Sequence, residues 1–131
     1  ERRNRNMNKR ILLIEDNAQN RYLARFLLDA RGWQVIEAED GPSGLLIADR
    51  TDPAIILLDI QLPGMDGYAV ARGLRENPRL AHVPIIAVTS YAMPGDREQC
   101  LAAGCTGYIE KPIDPERFAD EVERYHTGDD T

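Results

Sequence analysis

The chain has 131 residues, a formal net charge of −6, 43% hydrophobic and 29% charged residues: one domain's length, enough for a real core, in the composition of an ordinary globular protein. No apolar run approaches the roughly 20 residues of a membrane span, and no apolar stretch follows the basic start, so neither a transmembrane nor a secretory segment is expected. The acidic body argues against nucleic acid as a direct partner, because phosphate binding takes clustered Lys and Arg.

Residues 1–8 read as a basic flexible tail, with Arg2, Arg3 and Arg5 against Glu1 and with Lys9 and Arg10 following. Met7 is a candidate natural start, which makes residues 1–6 a linker or a remnant foreign to the natural chain. Ile11 to Ile14 is a short buried strand that ends in Glu15-Asp16. Asn17 is placed to cap the first helix, with Tyr22, Leu23, Phe26, Leu27 and Ala30 as its inner stripe and Gly32 as its stop. Gln34 to Glu37 is a less apolar strand, suited to a sheet edge. Asp40-Gly41-Pro42 opens the second helix, whose inner face is read as Leu45, Leu46 and Ala48.

Ala54 to Leu58 is a strand buried on both faces that delivers one carboxylate, Asp59, just before a Pro63-Gly64 turn. Asp66 caps a third helix through Val70, Ala71 and Leu74, which must stop before Pro78. Ile85 to Val88 is the fourth strand and ends in Thr89-Ser90. Pro94-Gly95-Asp96 starts a fourth helix that Gly104 ends. Tyr108 to Glu110 is the fifth strand, followed by Lys111-Pro112. Asp114-Pro115 starts the last helix as cap and first-turn proline, with Phe118, Val122 and Tyr125 facing inward. Residues 126–131 read as a flexible tail, which leaves 9–125 as the domain. Cys100 and Cys105 fit no metal spacing and read as reduced thiols. His82 and His126 read as solvated.

Five strand–helix repeats imply a parallel sheet covered on both faces. Right-handed crossovers then favour an α/β, flavodoxin-like (βα)5 three-layer sandwich, with its five-stranded sheet in the order 2-1-3-4-5. That order sets strands 1 and 3 side by side, so Glu15, Asp16 and Asp59 share one crevice that Thr89 and Lys111 also reach. Each residue alone has a plain reading: turn or cap for the acids and Thr89, a solvated charge for Lys111, sheet packing for Tyr108. Together, three carboxylates and one lysine either raise a pKa or hold a hard cation such as Mg²⁺. Asp59 is then fit to attack phosphorus and form an acyl phosphate, with Lys111 and the Thr89 hydroxyl neutralising phosphoryl oxygens.

Glu15-Asp16, Asp59, Thr89 and Lys111-Pro112, at the ends of four strands in this order, make the chain resemble the receiver domains of bacterial two-component response regulators, the CheY-like family. CheY is itself a reference example of the strand order, so the order is part of the resemblance. The stretches Asp59 to Pro63 and Ala87 to Asp96 are similar to DivK-like single-domain regulators and to receivers of hybrid kinases.

The resemblance implies Asp59 as phosphoacceptor and Mg²⁺ (or Mn²⁺) held by Asp16, Asp59 and the backbone carbonyl of Gln61, with Glu15 acting largely through water. It implies Lys111 on the phosphoryl group, a cis Lys111–Pro112 peptide, and Thr89 with Tyr108 as the switch pair. Gln61 and Tyr91 occupy the positions that tune hydrolysis. The implied output surface is helix 4, strand 5 and helix 5. The domain would be no enzyme beyond assisting its own phosphorylation and dephosphorylation. Its partners would be a sensor histidine kinase or histidine phosphotransfer protein and a downstream protein target, with no nucleic acid or membrane. It would be cytoplasmic, and a monomer or a phosphorylation-linked homodimer.

Two rivals use the same residues. A haloacid-dehalogenase-like phosphatase would need a second acid two residues after Asp59, where Gln61 stands. A flavin or dinucleotide binder would need a glycine-rich loop after strand 1, where Glu15-Asp16 would repel a phosphate.

Overall fold

The computed structural model describes residues 8–62, 64–90 and 94–126. The expected tails therefore lie almost wholly outside the described residues. Strands and helices alternate: β1 (Arg10–Ile14), α1 (Ala18–Asp29), β2 (Gln34–Ala38), α2 (Gly41–Thr51), β3 (Ile55–Asp59), α3 (Gly67–Glu76), β4 (Ile85–Thr89), α4 (Asp96–Ala102), β5 (Gly107–Glu110) and α5 (Phe118–His126). One 3₁₀ turn, Pro78–Leu80, follows α3. The five strands form one sheet in the order β2-β1-β3-β4-β5, and every pairing is parallel. The flavodoxin-like fold expected from the repeats is the fold observed, with β2 at an edge.

The core divides by strand parity, because alternate side chains leave a strand on opposite faces. Leu12, Ile14, Ile56, Leu58 and Ala87 face α2, α3 and α4, where they meet Ala48, Val70, Leu74 and Cys100. Ile11, Leu13, Ile55, Leu57 and Val88 face α1 and α5, where they meet Ala24, Leu28, Phe118 and Val122. Ile11, Leu12, Ile14 and Ile55 to Leu58 are all fully buried, each contributing roughly 1.5–3 kcal/mol by area. Both cysteines are free and buried.

Capping follows the sequence closely. Asn17, Asp40 and Asp66 accept the backbone N–H of Asn20, Ser43 and Tyr68. Helix roll does not. In α1 the buried residues are Ala24 and Leu28, while Tyr22 and Phe26 are 71% and 60% exposed and stack on one another at 6.3 Å. Ion pairs from Arg21 (3.2 Å) and Arg25 (2.7 Å) to Glu37 of β2 accompany this roll. In α2, Gly44 and Ala48 face the sheet and Leu46 turns outward. A Cβ at Gly44 would come within 2.6 Å of Ile14, so the smallest residues mark the close approach. Asp114 does start a turn, accepting from Glu116 N–H through Oδ1, but regular helix begins only at Phe118.

His126 is not solvated as expected. It ends α5 edge-on to Trp33, ring centroids 4.9 Å apart, with its Nε2 buried. The Trp33 indole is buried beneath Lys9 and donates to Glu123 at 2.9 Å. His82 is exposed, as expected.

Candidate functional site

Among the described residues, the buried polar or charged side chains are Glu15, Asp59 and Thr89. All three stand at the carboxyl ends of neighbouring strands β1, β3 and β4, one rim of the sheet. Parallel pairing puts them there: Ile14 pairs with Leu58, Asp59 with Val88, and Thr89 with Glu110 of β5. Asp16 follows Glu15 and is exposed. One carboxylate oxygen from each of Glu15, Asp16 and Asp59 lies within 4.8 Å of the others.

Lys111, just after β5, closes the crevice. Its Nζ is 3.0 Å from Glu15 Oε1 and 3.4 Å from Asp59 Oδ2. Its backbone N–H donates to Thr89 O at 2.8 Å, and the following peptide to Pro112 is cis. Glu15 also accepts from Asn17 N–H at 3.1 Å, which ties its second oxygen to the start of α1. Gln61 is bound at three points. Its N–H donates to Asp59 Oδ1 (2.9 Å), its Nε2 donates to Thr89 Oγ1 (2.7 Å), and its Oε1 accepts from Ser90 Oγ (3.1 Å). The loop carrying Gln61 is folded back by Gly67 N–H on Ile60 O at 3.2 Å. A Cβ at Gly67 would stand 2.5 Å from Ile60 Cα, so this loop passes closer to α3 than any larger residue allows.

Burial pushes the Asp59 carboxyl up to about 6, and the charge of Glu15 adds to the rise. The Gln61 N–H and Lys111 oppose it. The crevice thus holds more negative charge than Lys111 neutralises, the condition for holding a cation.

The expected strand order brought Glu15, Asp16, Asp59, Thr89 and Lys111 to one crevice and the resemblance added Gln61; the structure brings all six together. Tyr108 lies outside the crevice. It pairs with Ala87, two residues before Thr89, and packs on the same sheet face, partly buried. Tyr91 lies outside the described residues. Two neighbours of the site were given no role from sequence: Ser90, noted only as the residue after Thr89, which holds the Gln61 amide, and Arg21, whose guanidinium donates to the carbonyls of Glu15 (2.9 Å) and Asp16 (3.1 Å). A polar residue on an amphipathic helix looks solvated until the fold shows what it faces.

The family model for the response regulator receiver domain matches residues 11–123. The polar-differentiation response regulator DivK of Brucella ovis is 40% identical over 119 residues, 91% of this chain and 97% of that one. The DivK of Brucella abortus matches to the same extent. Among solved structures, the receiver domain of sensor histidine kinase PA1611 from Pseudomonas aeruginosa, with a magnesium ion coordinated in its active site cleft, is 36% identical with a TM-score of 0.84. The match covers 92% of this chain and 98% of that chain. The chemotaxis protein CheY4 of Vibrio cholerae is 26% identical with a TM-score of 0.85, over 88% of this chain and 97% of that chain.

Proposed function

The chain belongs to the family of response regulator receiver domains, and from that membership we propose that it is a phosphorylation-dependent switch in which Asp59 takes a phosphoryl group from a phosphohistidine. The donor is a sensor histidine kinase or a histidine phosphotransfer protein. An Asp59 oxygen attacks phosphorus, the phosphohistidine nitrogen leaves and is later protonated, and the product is an aspartyl phosphate. The observation that carries this reading is that the buried carboxylate and hydroxyl side chains among the described residues, Glu15, Asp59 and Thr89, converge on one rim, beside Lys111.

The donor set fits a hard divalent cation. Three carboxylate oxygens within 4.8 Å, without sulfur or imidazole, suit Mg²⁺, and Mn²⁺ by the same chemistry. Asp16 and Asp59 would hold it directly with the Gln61 carbonyl. Glu15, already engaged by Lys111 and the Asn17 N–H, would act through water. When bound, the cation supplies positive charge against the phosphoryl oxygens.

The chain's own residues do the rest. Lys111 stands 3.4 Å from the attacked carboxylate and is positioned to follow the charge onto the phosphoryl group. The Gln61 N–H holds the other Asp59 oxygen, which leaves Oδ2 to react. Thr89 offers its hydroxyl across the crevice, and drawing it inward means breaking its bond from Gln61. Tyr108, on the same sheet face, is the side chain set to follow. Gln61 and Tyr91 are the candidates for setting the lifetime of the aspartyl phosphate.

The output is carried by the α4–β5–α5 face, where Arg97, Tyr108, Glu110, Asp114, Arg117 and Glu121 line a groove of mixed charge. Such a lining suits a protein target better than nucleic acid. None of the described helices is long and apolar enough to cross a membrane, and we place the switch in the cytoplasm, as a monomer or a phosphorylation-linked homodimer.

Intact mass after incubation with Mg²⁺ and acetyl phosphate tests the reading. One added phosphoryl group, absent in Asp59→Asn and without Mg²⁺, is expected. An adduct that survives in Asp59→Asn would overturn the assignment of the acceptor.

A further inference from the structure

We infer that Arg21 is a positioning residue for the acidic crevice, its guanidinium fixing the backbone that presents Glu15 and Asp16 to a divalent cation. This rests on the reading above that the crevice holds such a cation. Arg21 lies on α1, one turn past the two acids, and its side chain is only 14% exposed. A single nitrogen, Nη1, donates to the carbonyls of both Glu15 (2.9 Å) and Asp16 (3.1 Å). Each carbonyl belongs to a planar peptide unit, so gripping two in succession fixes the planes on either side of Asp16.

The far side of the guanidinium is anchored as well. Its Nε donates to Glu37 Oε1 at 3.2 Å, and its Nη2 lies 3.8 Å from Glu39 Oε2. Arg25 steadies Glu37 in turn at 2.7 Å. The result is a brace from the edge strand β2, across α1, to the loop after β1.

Asp16 is the residue that needs it. Glu15 is buried and held by Lys111 and the Asn17 N–H. Asp16 is exposed, and no described side chain bonds its carboxylate, so its place in the crevice depends on its backbone. The planar fork of arginine suits three acceptors at fixed angles, and an ammonium group does not.

Charge alone argues the other way, which makes the inference testable by sign. Arg21 is a cation beside a site for a cation, so a purely electrostatic role means that its removal tightens Mg²⁺ binding. A purely structural role would lower stability and leave the affinity of the folded protein unchanged. A positioning role means weaker binding.

The test is calorimetric titration of the whole chain with Mg²⁺ as wild type, Arg21→Met and Arg21→Lys, with circular dichroism to verify folding. Arg21→Met is expected to bind about 10-fold more weakly, and Arg21→Lys to recover only part of the loss. Equal or tighter binding by Arg21→Met overturns the inference. Should that variant fail to fold, Glu37→Gln loosens the same brace, with weaker binding expected and equal or tighter binding overturning it. A wild type that does not bind Mg²⁺ sinks the cation reading and the inference with it. A wild type that binds, beside an Arg21→Met that binds equally, sinks the inference alone.

Discussion

Asp59 is held in a state that folding makes unfavourable. In the unfolded chain its carboxyl titrates near the ordinary 3.8; in the folded protein burial, reinforced by Glu15, raises it to about 6. The folded state therefore binds the proton more tightly, and stability from this group is full below about pH 4 and lost as pH rises through 6. Asp59→Asn, which cannot ionise, is expected to be more stable than wild type at pH 7.5 in chelator, by on the order of 2 kcal/mol. The difference should close towards pH 4. Urea unfolding at the two pH values checks this, and a gap of equal size at both would show that ionisation is not its source. Acids at the ends of apolar strands were legible in sequence because they serve no packing purpose there. Arg21 was not, because its partners are backbone carbonyls and an acid 16 residues on.

The elements themselves were legible for opposite reasons on sheet and helix. Runs such as Ile55 to Leu58 have no polar face to orient, so burial on both sides follows from composition. A helix must choose a face, and α1 offers apolar residues on more than one. The sheet accepted Ala24 and Leu28, which leaves Tyr22 and Phe26 facing solvent while Arg21 and Arg25 pair with Glu37. No periodicity records that choice. Tyr22→Ser and Phe26→Ser are accordingly expected to change stability by no more than about 0.5 kcal/mol, read from urea midpoints. A loss of several kcal/mol would mean that these rings are packed. Gly67→Ala is the contrasting case: its Cβ would press on the Ile60 backbone, not on a yielding side chain. A cost of about 1–3 kcal/mol is expected, together with slower labelling by acetyl phosphate, because Gln61 rides on the displaced loop. Normal stability and labelling would refute the close fit.

For the molecule as a whole, the sheet order turns local sequence into a site. Glu15 and Asp59 are 44 positions apart, and Glu15 and Lys111 are 96 apart; only the β1–β3 adjacency and the return of β5 to the same rim unite them. Binding there is linked to folding, since the unfolded chain has no crevice. At a Mg²⁺ concentration about 100 times its dissociation constant, the folded state gains roughly 2.7 kcal/mol. Chelation should lower the wild-type melting temperature, and should lower that of Asp59→Asn less, as scanning calorimetry would read. Equal shifts in the two proteins would place the cation away from Asp59.

Trp33 offers a way to watch these events separately. It is the one tryptophan of the chain, buried where β2 begins, beneath Lys9 and bonded to Glu123 of α5. The crevice lies at the other end of the strands, five residues away, or about 17 Å at the rise of extended chain. Its emission therefore gauges whether α5 is docked and the domain folded, from a point remote from the crevice. Denaturation followed by this native fluorophore and phosphorylation followed by mass are two separate readouts of events that the linkage of binding to folding couples, and neither needs an added dye.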